Sequence, residues 1–351
     1  MAITKESFGK TRDGKEVFAY TITNKNKMSI TVISYGAILK NVMVPDKKGK
    51  IDDVVLGYDS LWKYFNNGSC FGATIGPVAN RTENASFTIG KNTYQMPINE
   101  RKKNNLHSDL KNGFHKRVWD AKEGKNEVTF SLVKKDGEMG HPGTMKVSVT
   151  YTLTDKNEIK IKYHADTNKK TVINMTNHSY FNLSGIKSDN MEHTVLKLNC
   201  SHFTPVRKDV IPTGEIASVK GNEFDFTKGK AIGKDIEKKT NPQLKICGGF
   251  DHNYCIDGWK GNGKLLLAAV ATDKKSGRTL ETYTDLPGVQ FYAGNFIGSN
   301  VGKGGYKNCK RKGFCLETQY YPNCANDKNF PQALFDAKNP YDTTTVYKFI
   351  W

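Results

Sequence analysis

Apolar and polar residues alternate with a period of two along much of the chain. Lys146-Val147-Ser148-Val149-Thr150-Tyr151-Thr152-Leu153 alternates, Thr154-Asp155-Lys156-Asn157 carries turn chemistry, and Glu158-Ile159-Lys160-Ile161-Lys162-Tyr163-His164 alternates again. Successive side chains of a strand point to opposite faces, so the pattern predicts a β-hairpin with one buried face and puts His164 on the polar side with Lys160 and Lys162. Further strands are expected at 30–34, 128–133, 195–198, 265–271 and 290–293, separated by short runs rich in Gly, Asn, Asp and Lys. Helical periodicity is scarce. Asp59-Ser60-Leu61-Trp62-Lys63-Tyr64 reads as one short turn capped by Asp59 or Ser60. Many short strands and few helices predict an all-β fold, a large antiparallel β-sandwich. With no linker, repeat or low-complexity tract to divide it, the chain is expected to form one domain over residues 1–351.

Composition narrows the function classes. Of 351 residues 37% are apolar and 25% charged, and no apolar run approaches the roughly 20 residues needed to cross a bilayer. Residues 1–8 lack the apolar stretch of a signal peptide, so a cytosolic protein with no membrane partner is expected. Seven scattered cysteines (Cys70, Cys200, Cys247, Cys255, Cys309, Cys315 and Cys324), with no C-x-x-C pair, fit reduced thiols. The net charge of +18 is spread along the chain, and its densest cluster, Lys307-Asn308-Cys309-Lys310-Arg311-Lys312, is short. Without a one-sided patch or a recognition motif, this argues against a specific nucleic-acid partner.

Two apparent motifs dissolve on inspection. Gly258-Trp259-Lys260-Gly261-Asn262-Gly263-Lys264-Leu265 approaches a P-loop, but Leu265 stands where a hydroxyl must hold magnesium and a strand-like run follows. The histidines lack H-x-x-x-H and H-x-H spacing, so no metal site is expected.

The densest candidate chemistry is Asn174-Met175-Thr176-Asn177-His178-Ser179-Tyr180-Phe181-Asn182-Leu183. Amides and hydroxyls match the donors and acceptors of a polyol, aromatic rings offer an apolar platform, and an imidazole moves protons near neutral pH. Glu317, inside Gly313-Phe314-Cys315-Leu316-Glu317-Thr318-Gln319-Tyr320-Tyr321, is set among apolar residues that would raise its pKa and strengthen it as a base. Asp251 and His252 are neighbours on an extended segment, so only one of them can enter a given site.

Five separated segments, in order, resemble the aldose 1-epimerases: Asn80-Arg81, Asn105-Leu106-His107, Thr176-Asn177-His178-Ser179-Tyr180-Phe181-Asn182-Leu183, Phe250-Asp251-His252-Asn253, and Glu317-Thr318-Gln319-Tyr320-Tyr321-Pro322-Asn323. Shorter matches, including Pro287-Gly288-Val289-Gln290-Phe291-Tyr292 leading to Gly294-Asn295-Phe296, extend the likeness over nearly the whole chain. The resemblance implies a β-sandwich that binds a hexose in an open cleft without a cofactor. The sequence leaves the oligomeric state open, with a monomer slightly favoured. By matching position, Glu317 corresponds to the general base, His178 to the general acid and His107 to a second histidine holding the pyranose. Asn80, Arg81, Asp251 and Gln290 correspond to ligands of sugar hydroxyls.

Opening a cyclic hemiacetal requires loss of the C1 hydroxyl proton and delivery of a proton to the ring oxygen. An ionised Glu317 facing a protonated His178 is the expected resting arrangement. One departure stands out. The family usually follows its first histidine with two glycines, whereas His107 precedes Ser108-Asp109, an exchange that restricts the backbone. Asp109 is then a candidate charged partner for His107. Two alternatives remain open: a hexose-6-phosphate 1-epimerase, since the chain is basic, and a carbohydrate-binding protein without turnover.

Overall fold

The computed structural model describes residues 2–188 and 190–351. The expected hairpin forms from the strands Met145–Leu153 and Glu158–Thr167, with Val149 opposite Tyr163. Its inner face is dry, Val147, Val149, Tyr151, Ile159, Ile161 and Tyr163 all being buried. His164 lies on the other side, half-exposed between Asp166 and Asp342.

This hairpin belongs to a nine-stranded antiparallel sheet. The strands run in the order Asp120–Glu123, Glu127–Lys134, Met145–Leu153, Glu158–Thr167, Tyr341–Ile350, Thr279–Thr284, Leu266–Thr272, Val195–Leu198 and Lys230–Ala231. The late strand Tyr341–Ile350 sits in the middle, pairing on one side with Glu158–Thr167 and on the other with Thr279–Thr284. An amino-terminal five-stranded meander, from Ala2–Lys10 to Ile51–Asp53, packs Tyr20 edge-on against Phe130 of the large sheet. A second five-stranded sheet runs Ala217–Ser218, His202–Phe203, Asp251–Cys255, Gly288–Tyr292 and Cys315–Gln319.

That last sheet covers the large one. The Tyr347 hydroxyl donates to the Leu316 carbonyl at 2.8 Å, Thr318 and Thr345 share a hydrogen bond, and the Phe181 ring lies 5.0 Å from that of Tyr347. Leu316 and Thr318 therefore face the core. By alternation Cys315, Glu317 and Gln319 face away from it.

The strands expected from alternation all form, with ends shifted by at most three residues. The run after the P-loop lookalike enters the strand Leu266–Thr272, as its composition required. The short helix forms at Leu61–Phe65, but neither expected side chain caps it. Ser60 takes the cap position without a side-chain bond, and the Asp59 carboxylate instead accepts from the Gly304 amide. A second helix, Pro242–Cys247, is ended by unmistakable local signals: Asn241 accepts from the amides of Gln243 and Leu244, Pro242 fills the first turn, and Gly248 closes it at φ 65°.

Candidate active site

Three adjacent strands build the floor. In their antiparallel register Asn253, Gln290 and Glu317 form one cross-strand row, and Asp251, Tyr292 and Cys315 form the next. All six project from the same face. The opposite face carries His252, whose ring packs between Phe203 and Phe224, so Asp251 alone of that pair enters the site.

Two further segments bring the histidines. The strand Thr176–His178 pairs with Ala73–Ile75 and runs on to a bridge between Phe181 and Phe314, which draws His178 alongside the Glu317 strand. His178 Nε2 lies 3.5 Å from Glu317 Oε2, both side chains being buried. His107 follows the strand Asn105–Leu106, and its Nδ1 accepts a hydrogen bond from the Asn80 amide at 3.1 Å. That bond places the ring proton of neutral His107 on Nε2.

A cavity of about 200 Å³ is lined by Asn80, Arg81, His107, His178, Asp251 and Glu317, with Cys70, Tyr180, Tyr292 and Phe296 among the other residues of its wall. Six of the seven residues picked from the sequence therefore converge. Gln290 does not line the cavity; its amide donates to Asp251 Oδ1 at 2.7 Å, and its oxygen accepts from Gln319 at 3.1 Å. It props Asp251 instead of meeting solvent. A larger hollow of about 600 Å³ opens beside Arg12, Lys116 and Arg117, but Lys116 is spent on the Phe65 carbonyl, Arg117 on Glu138 and Lys15 on Asp13, and no histidine is among its described lining residues.

The cavity is electrostatically coupled. Arg81 Nε lies 3.2 Å from Glu100 Oε1, and its Nη1 is 3.9 Å from Asp251 Oδ2. Burial raises the Asp251 carboxyl above its ordinary range, and Arg81 and Gln290 pull it back. Glu317 is held well above the usual carboxylate range, by burial first and by the charge of Asp251 second, with Arg81 opposing. Burial lowers His178 to about 4 and holds His107 well below 6.5, the latter also repelled by His178.

These shifts bear on the expected resting state. Burial disfavours a carboxylate and an imidazolium alike, which shifts the balance toward a neutral carboxyl and a neutral imidazole sharing one exchangeable proton. The proton count equals that of the charged pair. Such a couple can take a proton from one oxygen and give one to another without changing its combined charge.

The loop after His107 also corrects an expectation. Asp109 does not reach His107; its carboxylate accepts from the amides of Lys111 and Asn112 and from the Asn112 side chain, closing its own turn. His107 and Ser108, the latter where the family usually has glycine, adopt φ of 57° and 63°, a region that costs L-residues roughly 1–2 kcal/mol. Ser108 offsets this with its hydroxyl, which donates to the Val78 carbonyl at 2.9 Å and accepts from the Val78 amide at 2.8 Å. Ser108→Ala keeps the strain and loses both bonds, so it should destabilise by about 1–3 kcal/mol. Ser108→Gly trades bonds against relief and should cost less. Thermal unfolding of the two variants checks the order, and an alanine variant as stable as the glycine one would overturn it.

Residues missed from the sequence share a simple signal. Tyr292 lies two positions from Gln290 and Cys315 two from Glu317, the spacing that puts strand neighbours on one face. Glu100 carried no such mark, because only the fold brings it to Arg81.

The aldose 1-epimerase family profile matches residues 19–348. The chain is 40% identical over 350 residues to galactose mutarotase from Bos taurus, covering 99% of each chain. It is 34% identical over 342 residues to aldose 1-epimerase from Escherichia coli (strain K12), covering 96% of each. Among solved structures, an aldose epimerase homologue from C. elegans superposes with a TM-score of 0.83 at 30% identity, over 94% of this chain and 98% of that one. A galactose 1-epimerase from Lactobacillus acidophilus NCFM gives 0.86 at 26% identity, over 99% and 98%. Together with a β-sandwich whose cavity joins a buried carboxyl to a buried imidazole, these likenesses establish that the chain belongs to the aldose 1-epimerase family.

Proposed function

We propose that the protein interconverts the α- and β-anomers of a free hexose, galactose or glucose, with Glu317 as base and His178 as acid. The observation that carries this reading is the 3.5 Å approach of the two buried groups at a cavity also lined by Asn80, Arg81 and Asp251. Glu317 takes the C1 hydroxyl proton while His178 delivers one to O5, the C1–O5 bond breaks, and an open-chain aldehyde results. Rotation about C1–C2 presents the other face. Closure then returns each proton by the reverse path.

During opening the pair passes from carboxylate and imidazolium to carboxyl and imidazole, so the active site changes no net charge. Sugar hydroxyls donating to Glu317 favour its ionised form on binding. His107, with its proton on Nε2, donates to the pyranose, and Arg81, Asn80 and Asp251 orient the ring, with Gln290 acting through Asp251.

Polarimetry on freshly dissolved α-D-galactose and α-D-glucose tests the reading, a relaxation rate proportional to enzyme being expected and a rate fixed at the buffer value refuting it. Among the described lining residues Arg81 is the one cation, and Glu100 and Asp251 already engage it, which disfavours a phosphorylated hexose. Glucose 6-phosphate should therefore react more slowly than glucose. Retention of both proton-transfer groups disfavours a silent binding protein. Seven cysteines without a disulfide support a reducing compartment, the cytosol, and the continuous family match supports one domain.

A further inference from the structure

The Cys315 thiol is fully buried beneath the cavity, on the same strand face as Glu317 and two residues away. The His178 ring stacks on Tyr180, with centroids 5.0 Å apart and planes 21° apart, and meets the edges of Tyr292 and His107 at 6.4 and 5.5 Å. Aromatic neighbours thus hold the ring, and its two nitrogens address two different groups. We propose that Cys315 is a positioning residue: its sulfur, 3.6 Å from His178 Nδ1, accepts the Nδ1 proton and so keeps Nε2, 3.5 Å from Glu317, as the nitrogen that exchanges protons.

The contact admits two senses, and the proton count selects one. If the thiol donated to Nδ1, the ring proton would sit on Nε2, and giving it to the sugar O5 would leave an imidazolate, too basic to form. With Nδ1–H donating to sulfur, the imidazolium surrenders its Nε2 proton and leaves an ordinary neutral ring, and the cycle closes. Burial, reinforced by Glu317 and Asp251, holds the Cys315 thiol protonated. A neutral sulfur is a weak acceptor. It orients the ring without stabilising the imidazolium as a carboxylate would, which leaves His178 a strong acid.

The donor atoms of His178, Cys315 and Glu317 lie within 4.8 Å of one another. The thiol and the carboxyl nevertheless meet opposite nitrogens of one ring. That is the arrangement of a relay, not of ligands converging on one ion.

The proposal rests on the assignment of Glu317 and His178 as base and acid, so its test keeps the two separable. In full-length protein labelled with ¹⁵N-histidine, the His178 signals, assigned with a His178→Asn variant, should report the Nδ1–H tautomer near neutral pH. Cys315→Ala should shift them to Nε2–H and lower kcat by about 10–100-fold with KM within about twofold, less than loss of a transferring group costs. Cys315→Ser, which restores an acceptor, should recover the tautomer and most of the rate. An Nε2–H tautomer in the unsubstituted protein, which requires no variant to fold, overturns the proposal, as does an unchanged kcat in Cys315→Ala. If Glu317→Gln is inactive while Cys315→Ala is fully active, only the role of Cys315 falls; if both retain full rate, the acid–base assignment falls with it.

Discussion

Glu317→Gln is expected to lower kcat for anomer interconversion by about 10²–10⁴-fold while changing KM little, because the amide keeps the shape of the carboxyl but cannot accept the C1 hydroxyl proton. The residue is 3% exposed and lies opposite Gln290, so an amide of equal size fits the same slot. Replacing a buried ionisable group by a neutral one leaves folding stability unchanged or raised near neutral pH. His178→Gln should lose a comparable factor, and the double variant should fall little below the worse single one, since the two groups work as a unit. Polarimetry at saturating galactose, with a melting curve for each variant, checks both halves. A folded Glu317→Gln protein within about threefold of the original rate would sink the assignment, because a positioned base contributes far more than that.

The second large effect is loss of stability in mild acid. Burial depresses five histidines: His178 to about 4, His115, His141 and His252 each to about 3, and His107 well below 6.5. Between those values and 6.5 the unfolded chain binds more protons than the folded one. Their stabilising contribution is thus complete above pH 6.5, falls as pH drops through the window, and levels off below the folded values. Each group contributes a slope of up to about 1.4 kcal/mol per pH unit there. Glu317, Asp251 and Asp285, the last pushed up to about 6, are raised by burial and act in the opposite sense, but they are three against five.

Unfolding midpoints in denaturant at pH 7.5, 6, 5 and 4 measure this, and a midpoint constant down to pH 4 would rule it out. His141 offers a sharper check. Its ring lies 5.1 Å from that of Phe87 and has no hydrogen-bond partner among the described residues. His141→Phe should therefore fold well and flatten the acid limb by about one proton.

Much of this architecture was legible before any coordinates, because period-two alternation is a direct imprint of the pleat. It located the 145–167 hairpin and the strand carrying Gln290, and it separated Asp251 from His252. The same parity rule, applied from Glu317 to Cys315, would have found a neighbour of His178 that went unnoticed. What alternation could not give is register between distant strands. Gln290 looked like a sugar ligand until its pairing opposite Glu317 and its bond to Asp251 placed it behind the wall. Protonation was the other blind spot. Intrinsic pKa values suggested a standing ion pair, whereas complete burial, a property of the assembled sheets, favours the neutral couple.

The central place of the strand Tyr341–Ile350 bears on how the molecule is made. Until that segment leaves the ribosome, Glu158–Thr167 and Thr279–Thr284 each present an unpaired edge, because the strand that joins them is translated among the last. Roughly 170 residues separate Thr167 from Tyr341, so at about 5–20 residues per second the first edge stays open for on the order of 10–35 seconds. Exposed edges are templates for mispairing. A chain cut short just before Tyr341 leaves both edges unpaired, so it is expected to aggregate where the full-length chain folds.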